Sequence, residues 1–324
     1  MPDTDVWTTR KLLRWTTQHF EKHRLDAPRV RAEMLLGHVI GAERLRLYME
    51  PDRPASQAER DTLRDLVKRA THHEPVDYLT GHATFFALEF AVSPAVLIPR
   101  PSTETLVEHI LQTLRPRKPE PEPGEAVANT ASSDGDQETQ EPEVEAVPST
   151  PPPDPIRFAD LGTGSGAIAI TLLKHLPHAT AVATDLSEDA LAVAQQNAET
   201  HGVADRIEFR QGDGLAPLRD ETHKLDALVS NPPYIPDHEW GDVPPDVKQH
   251  EPTLALRGGP DGLDVLRPLI AGARDVVKPG GLLAFEIAAV QSEAAQKFAA
   301  DAGWSDIAVL PDHERLPRVL VGTA

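Results

Sequence analysis

From residue 155 to the C-terminus, short β-rich runs alternate with helical stretches, and this alternation restricts the chain more than any other feature. The runs are IRFAD (156–160), TAVATD (180–185), RIEFR (206–210), LDALVS (225–230), GLLAFEI (281–287), WSDIAVL (304–310) and PRVLVG (317–322). Helical patterns fall between them, from a Gly-rich turn through Leu173, then over 188–200, 262–277 and near 290–302. Parallel strands need long crossovers, which helices supply, and strands covered on both faces read as near-continuous apolar runs. The pattern predicts a mostly parallel sheet with helices on both faces. The last two runs have no helix between them, which predicts a terminal antiparallel hairpin.

The preceding chain differs. Residues 1–75 place apolar side chains at helical spacing, in Val6, Leu12, Leu13, Trp15 and Phe20, in Val30, Met34, Leu35, Leu36 and Val39, and in Leu63, Leu66 and Val67. Pro28 suits a first helical turn and Gly41 a helix end, while Pro51 and Pro54 break the pattern. This predicts a small helical bundle, with Trp7 and Trp15 as buried packing residues. Residues 76–100 change to β-formers around Phe85, Phe86, Leu88, Phe90 and Val92, which predicts a hairpin linker. Residues 102–114 read as a helix capped by Ser102 or Thr103. Between that helix and the first run, residues 115–154 carry three basic and ten acidic side chains, a charge of −7, with nine prolines and no aromatic residue. Such a segment buries too little apolar area to offset its ordering entropy, so it is expected to be a disordered insertion.

Composition narrows the chemistry. The 324 residues contain no cysteine, which excludes disulfides, cysteine nucleophiles, zinc ribbons and iron–sulfur clusters. The net charge of −19 weighs against sequence-independent nucleic-acid binding, which depends on Lys and Arg meeting phosphates. No apolar run has the length of a membrane span, and the N-terminal residues lack the pattern of a secretory signal, so a cytoplasmic protein is expected. The 14 histidines form no short metal motif, and solvated positions suit His72, His73 and His250 better than ligation, so no metal is expected.

Four motifs stand at predicted strand ends. Gly162-Thr163-Gly164-Ser165-Gly166 follows the first strand, where alternate glycines permit a tight turn and close approach of a ligand to a helix N-terminus. It has neither the GxGxxG spacing of a pyrophosphate turn nor the Lys-Ser/Thr of a P-loop. Asp185 ends the second strand, placed to accept hydrogen bonds from ribose hydroxyls; Ser187 is available to cap the next helix. Asp213-Gly214 follows the third strand, either beside an adenine amine or in a plain turn. Asn231-Pro232-Pro233-Tyr234 follows the fourth. Its prolines stiffen the backbone and remove two N–H donors, leaving carbonyl acceptors. Asn231 adds a side-chain acceptor and an NH₂, and Tyr234 a flat face, a set that can grip a planar group carrying NH₂. Asp261 and Asp264 are expected to flank a helix start.

The Gly-rich turn, the acidic end of strand two and NPPY together resemble the class I S-adenosylmethionine-dependent methyltransferases. Further stretches narrow the resemblance: YLTG (78–81), LIPRPSTETLVE (97–108), DLGTGSGAIAI (160–170), VSNPPYIP (229–236), EPTLALRGGPDGL (251–263) and PGGLLAFEI (279–287). In combination they are similar to the release factor glutamine methyltransferases, the PrmC/HemK family, over nearly the whole chain.

That resemblance implies a Rossmann-like α/β methyltransferase domain over 101–324 behind a helical substrate-recognition domain over 1–75. It implies methylation of the side-chain amide nitrogen of glutamine in the Gly-Gly-Gln motif of peptide chain release factors. The donor is then S-adenosylmethionine and the product S-adenosylhomocysteine. It places Gly162, Thr163, Gly164, Ser165 and Gly166 around the donor's methionine end, Asp185 on its ribose, Asp213 and Gly214 by its adenine, and Asn231 at the donor as well as at the substrate. Some relatives carry an aromatic residue where Gly214 stands. Asn231 and the Pro232 carbonyl receive the two amide hydrogens of the substrate glutamine, while Pro233 and Tyr234 pack on its plane. Release factors are the implied partners, with neither membrane nor direct nucleic-acid binding. The competing expectations are a ribosomal-protein glutamine methyltransferase, which shares NPPY, a nucleic-acid adenine or guanine amino-methyltransferase acting on a flipped base, and a non-catalytic binding module.

Overall fold

The computed structural model describes residues 6–114, 155–220 and 224–324. The acidic insertion expected over 115–154 lies outside the described residues.

Five helices come first: α1 (Thr9–Lys22), α2 (Pro28–Ile40), α3 (Arg44–Met49), α4 (Gln57–Thr71) and α5 (Val76–Thr80). Local chemistry sets their ends. Thr8 caps α1 through the Lys11 N–H. A reciprocal Ser56–Glu59 capping box opens α4, a device worth about 1 kcal/mol. Pro28 starts α2, and Gly41 in the left-handed region ends it. Leu12, Phe20, Leu35, Leu36, Leu63 and Val67 share one buried core. Trp15 departs from the expectation of burial: it is 39% exposed, stacks on His19 and borders a shallow cavity with Trp7 and Arg60. Val6 precedes α1 and is exposed.

The 76–100 region also differs in part, because α5 takes its first five residues. The hairpin follows as β1 (His82–Phe85) and β2 (Leu88–Ala91), paired antiparallel with Phe85 opposite Leu88. Next comes α6 (Pro101–Leu114), which starts one residue before Ser102. Ser102 and Thr103 do not serve as its cap; their hydroxyls bond the Glu286 carboxyl instead.

The main sheet has seven strands in the order β5-β4-β3-β6-β7-β9-β8. They are β3 (Arg157–Leu161), β4 (Thr180–Asp185), β5 (Ile207–Gln211), β6 (Leu225–Ser230), β7 (Val277–Glu286), β8 (Ser305–Pro311) and β9 (Pro317–Thr323). Strands β3 to β7 are mutually parallel, and β9 runs antiparallel to both β7 and β8, as the pattern predicted. The helices between them are α7 (Ala167–His175), α8 (Glu188–Thr200), α9 (Pro245–His250), α10 (Leu266–Gly272) and α11 (Ser292–Asp301). Two buried clusters cover the sheet faces, one containing Phe158, Ile170 and Leu172, the other Leu228, Ile270 and Phe285. Each such side chain contributes about 1.5–3 kcal/mol on burial.

The helix expected over 262–277 is much shorter, because Asp261 and Asp264 both pair with Arg267 and hold 259–264 as a turn. The chain then enters β7 at Val277, earlier than the apolar run indicates.

Strand order reverses between β3 and β6: β4 and β5 extend one way, β6 and β7 the other. In open α/β sheets, ligands bind beyond the carboxyl ends of the strands at such a switch point. The register sets Leu161 beside Ser230, so the Gly-rich turn and NPPY leave the sheet side by side.

Candidate active site

A cavity of about 200 Å³ lies over that switch point. Its wall takes Gly162 and Gly164 after β3, Asp185 from β4, Asp213 and Gly214 after β5, and Asn231, Pro232 and Pro233 after β6. Thr163, Ser165, Gly166 and Tyr234 are not part of the wall. Thr163 turns its hydroxyl inward to Asp160, at 2.7 Å. The Ser165 carbonyl accepts from the Asn197 side chain at 2.8 Å, and Gly166 caps α7.

Gly162 and Gly164 sit at φ +67° and +55°, and a Cβ built on either meets nothing within 4 Å. The turn is therefore left-handed backbone bordering open space, the surface a ligand needs for close approach. Asp185 braces it: one carboxylate oxygen accepts from the Gly164 N–H and the other from the Ser187 N–H, both at 2.9 Å. Ser187 caps α8 through the Ala190 N–H, as anticipated, so Asp185 is not spent as a cap. Each Asp185 oxygen keeps a second acceptor position.

Behind the turn, burial pushes Asp160 up to about 7, against the hydrogen bonds from Thr163 and the Ala169 N–H. At Gly214 the left-handed backbone leaves room only as far as Leu269, which lines the cavity with Leu254, Ala255 and Val265. The apolar lining near Gly214 is thus made by neighbouring side chains rather than by an aromatic at 214.

The Asn231 wall depends on residues far away in sequence. The Asn231 side-chain NH₂ donates to the Thr103 hydroxyl oxygen at 3.1 Å. Thr103 donates to Glu286 at 2.6 Å, and Ser102 and the Tyr234 hydroxyl reach the other Glu286 oxygen at 3.3 and 3.4 Å. Burial raises the Glu286 carboxyl above its ordinary value, opposed first by the Thr103 bond and then by the charge of Arg318. Tyr234 is pushed up to about 12, first by burial and then by the charge of Glu286, so its phenol stays protonated.

Other residues without a signal of their own position the same loops. Gln291 donates to the Tyr234 and Gly262 carbonyls at 2.9 and 3.1 Å and accepts from the Ala288 N–H. Gly262 is obligatory here: a Cβ on it would lie 2.3 Å from the Tyr234 carbonyl oxygen. Asn197 on α8 ties the hairpin to the Gly-rich turn by exchanging bonds with Ala91 while donating to Ser165. Glu251 binds the Ile98 N–H and the Arg100 guanidinium, which joins the EPTLAL and LIPRP stretches. These glutamines, asparagines and glutamates have no distinguishing local sequence pattern. Only their presence inside the stretches quoted above marks several of them.

His72 and His73 are exposed. Among the described residues, no group of three or more His, Asp or Glu is disposed to hold a metal ion. No helix among them is long and apolar enough to cross a membrane.

Comparison with known proteins decides the family. A family model for the PrmC N-terminal domain matches residues 11–81, and one for the methyltransferase small domain matches 128–243. A release factor glutamine methyltransferase of Chlorobaculum tepidum is 36% identical over 99% of this chain and 98% of its own length. One from Moorella thermoacetica is 40% identical over 94% of this chain and 95% of its own. This chain belongs to the release factor glutamine methyltransferase family. Among solved structures, a ribosomal protein L11 methylase from Lactobacillus delbrueckii subsp. bulgaricus aligns with a TM-score of 0.44 at 18% identity, over 72% of this chain and 83% of that one. The family assignment rests on the full-length sequence relatives. It accounts for the stretches that meet at the cavity: LIPRPSTE brings Thr103, NPPY brings Asn231, and LLAFEI brings Glu286.

Proposed function

We infer that this chain transfers a methyl group from S-adenosylmethionine to the side-chain amide nitrogen of the glutamine in the Gly-Gly-Gln motif of peptide chain release factors. One observation carries the reading. In a chain related end to end to release factor glutamine methyltransferases, the left-handed Gly162–Gly164 turn and the Asn231 amide face one cavity.

The cavity residues fit the donor. Gly162 and Gly164 offer close backbone approach, Thr163, Ser165 and Gly166 hold that turn in shape, and Asp185 keeps free acceptor positions for ribose hydroxyls. Asp213 and Gly214 line the cavity with Leu269, an apolar contact that suits a purine. Bound there, S-adenosylmethionine supplies an electrophilic methyl group.

The chain's own task is to present an amide nitrogen, a poor nucleophile because its lone pair is delocalised. The Asn231 side-chain oxygen and the Pro232 carbonyl accept the two N–H hydrogens of the glutamine. Two fixed acceptors orient the nitrogen and favour positive charge developing on it. Pro233 and Tyr234 flank the amide plane, with the Tyr234 hydroxyl anchored at Glu286. No general base is needed before transfer, because the nitrogen sheds its proton after alkylation. Catalysis on this reading is positioning and electrostatics. Residues 1–75 supply the surface that recognises the release factor, and residues 76–100 link it to the catalytic domain.

The test is methyl transfer from labelled donor to purified release factor, beside a release factor whose Gly-Gly-Gln glutamine is changed to alanine. Label on the first alone is expected. Label on neither, with donor bound, overturns the substrate assignment, and offering ribosomal protein and nucleic acid in parallel identifies the alternative.

A further inference from the structure

We propose that Thr103 and Glu286 are positioning residues that fix which way round the Asn231 amide stands, and so present its oxygen to the substrate. The proposal rests on the reading that Asn231 receives the glutamine amide.

Glu286 ends β7 and is 0% exposed. A carboxylate there is costly unless its lone pairs are satisfied. Hydroxyls satisfy them: Thr103 on one oxygen, Ser102 and Tyr234 on the other. The 2.6 Å Thr103 bond has the short length of a charge-assisted O–H···O⁻ contact.

The consequence follows from counting hydrogens. The Thr103 hydroxyl donates to Glu286, so its single hydrogen is committed there. The Thr103 oxygen then has only lone pairs to offer Asn231. The group 3.1 Å away must be the amide NH₂, and it is. The amide is planar, so its oxygen faces away from Thr103. Asn231 lines the cavity, and on this proposal its oxygen is the atom an incoming amide meets. An asparagine amide is nearly symmetric in shape, so packing alone discriminates poorly between its two orientations. Flipped, Asn231 would oppose NH₂ to the substrate NH₂, donor against donor. The carboxylate thus sets polarity through one intervening hydroxyl, with members from α6, the loop after β6 and the end of β7.

A purely structural role, tying α6 to the sheet, makes different predictions. Thr103→Val keeps the shape and removes the hydroxyl, Thr103→Ser restores the hydroxyl, and Glu286→Gln keeps the shape but removes the charge that draws the Thr103 hydrogen and adds an NH₂ able to donate to the Thr103 oxygen. Using the full chain and intact release factor, kcat is expected to fall about 10- to 100-fold in Thr103→Val and Glu286→Gln. Thr103→Ser is expected to stay within about 3-fold of the parent, and KM for release factor and Kd for S-adenosylmethionine to stay unchanged in all three. In ¹⁵N-labelled protein without substrate, the Asn231 side-chain NH₂ resonances should shift in Thr103→Val and Glu286→Gln and be retained in Thr103→Ser. Parental kcat in both Thr103→Val and Glu286→Gln, or an equal loss in Thr103→Ser, overturns the proposal. So do unmoved Asn231 resonances. Thermal melts identify a variant that has merely unfolded, and the other variant then carries the test. If the parent protein labels no release factor while the Asn231 resonances respond as expected, the substrate reading fails and the orientation device stands.

Discussion

The two walls of the cavity are built in different ways. The wall formed by Gly162, Gly164 and Asp185 is nearly local. Its glycines follow β3, its brace ends the neighbouring β4, and the Asp185–Gly164 bond spans 21 positions of sequence. The wall formed by Asn231 is assembled from afar. Thr103 lies 128 positions from Asn231, and Glu286 lies 183 from Thr103. The first wall is backbone held by one neighbouring carboxylate, which suits the close grip of a ligand. The second is a side chain whose polarity other side chains dictate, which suits an atom that must react. Damage to the first should show in donor affinity and stability, damage to the second in turnover.

Asn231→Ala should break the comparison most sharply. Removing one of two acceptors on the reacting nitrogen should lower kcat by about 10²- to 10³-fold, the range seen when one preorganised electrostatic contact is lost. Calorimetric Kd for S-adenosylmethionine should be largely unchanged, because Gly162, Gly164 and Asp185 are proposed to carry most of the donor's contacts; parental turnover would remove Asn231 from the mechanism. Gly164→Val tests the other wall. A β-branched residue at φ +55° carries a strain of about 1–2 kcal/mol, and its side chain enters the space the cavity occupies. Donor Kd should rise about 10-fold or more, roughly 1.4 kcal/mol, with a lower melting temperature. At saturating donor, kcat should recover toward the parent value. A kcat defect that persists at saturation would show the two walls to be coupled.

A smaller effect tests the support of the local wall. Asp160 is raised in the folded protein from 3.8 to about 7, first by burial, whereas the unfolded chain titrates near the ordinary value. Between those values the folded state holds the extra proton, so stability is greatest at the acid end of this window. This contribution falls as pH rises from about 4 to about 7. Thermal melts of the parent across that window should therefore slope downward relative to Asp160→Asn, which cannot titrate. Parallel pH profiles for the two proteins would show that Asp160 is not raised.

The contrast between the walls also explains what the sequence made legible. The local wall was readable because its parts are strand ends and glycines, marked by spacing and by the alternation of apolar runs. All seven strands were expected within a few residues, and β4 and β6 at both ends, because each is a β-branched or apolar run closed by a polar residue. Asn231 was visible because prolines beside it are rare in a strand–helix turn. Its supporting residues were not readable individually. Ser102 and Thr103 looked like a helix cap, since a Ser or Thr before an apolar helix ordinarily is one, and only the folded chain brings Glu286 to them. Asn197 and Gln291 occupy helical or turn positions indistinguishable from solvated ones. The over-long helix at 262–277 arose from apolar periodicity that ignored Gly262, whose absent Cβ the Tyr234 carbonyl requires.

The smallest expected effect is none at all, for replacement of residues 115–154 by a short Gly-Ser linker. The reasoning is geometric. Helix α6 begins behind Asn231, where Ser102 and Thr103 meet the carboxyl end of β7. Its 14 residues, at 1.5 Å each, carry Leu114 about 20 Å from that end. The chain returns at Arg157, the start of β3, while the cavity lies past the strand's other end at Leu161. Both attachment points thus lie on the side of the sheet away from the two walls. The shortened protein should match the parent in kcat, in KM for release factor and in donor Kd. A rise in KM alone would assign the acidic segment a part in docking the release factor, and would make it a third functional region beside the two walls. A loss of kcat at saturating release factor would contradict the geometry, because the attachment points reach Asn231 only through the length of α6 or of β3.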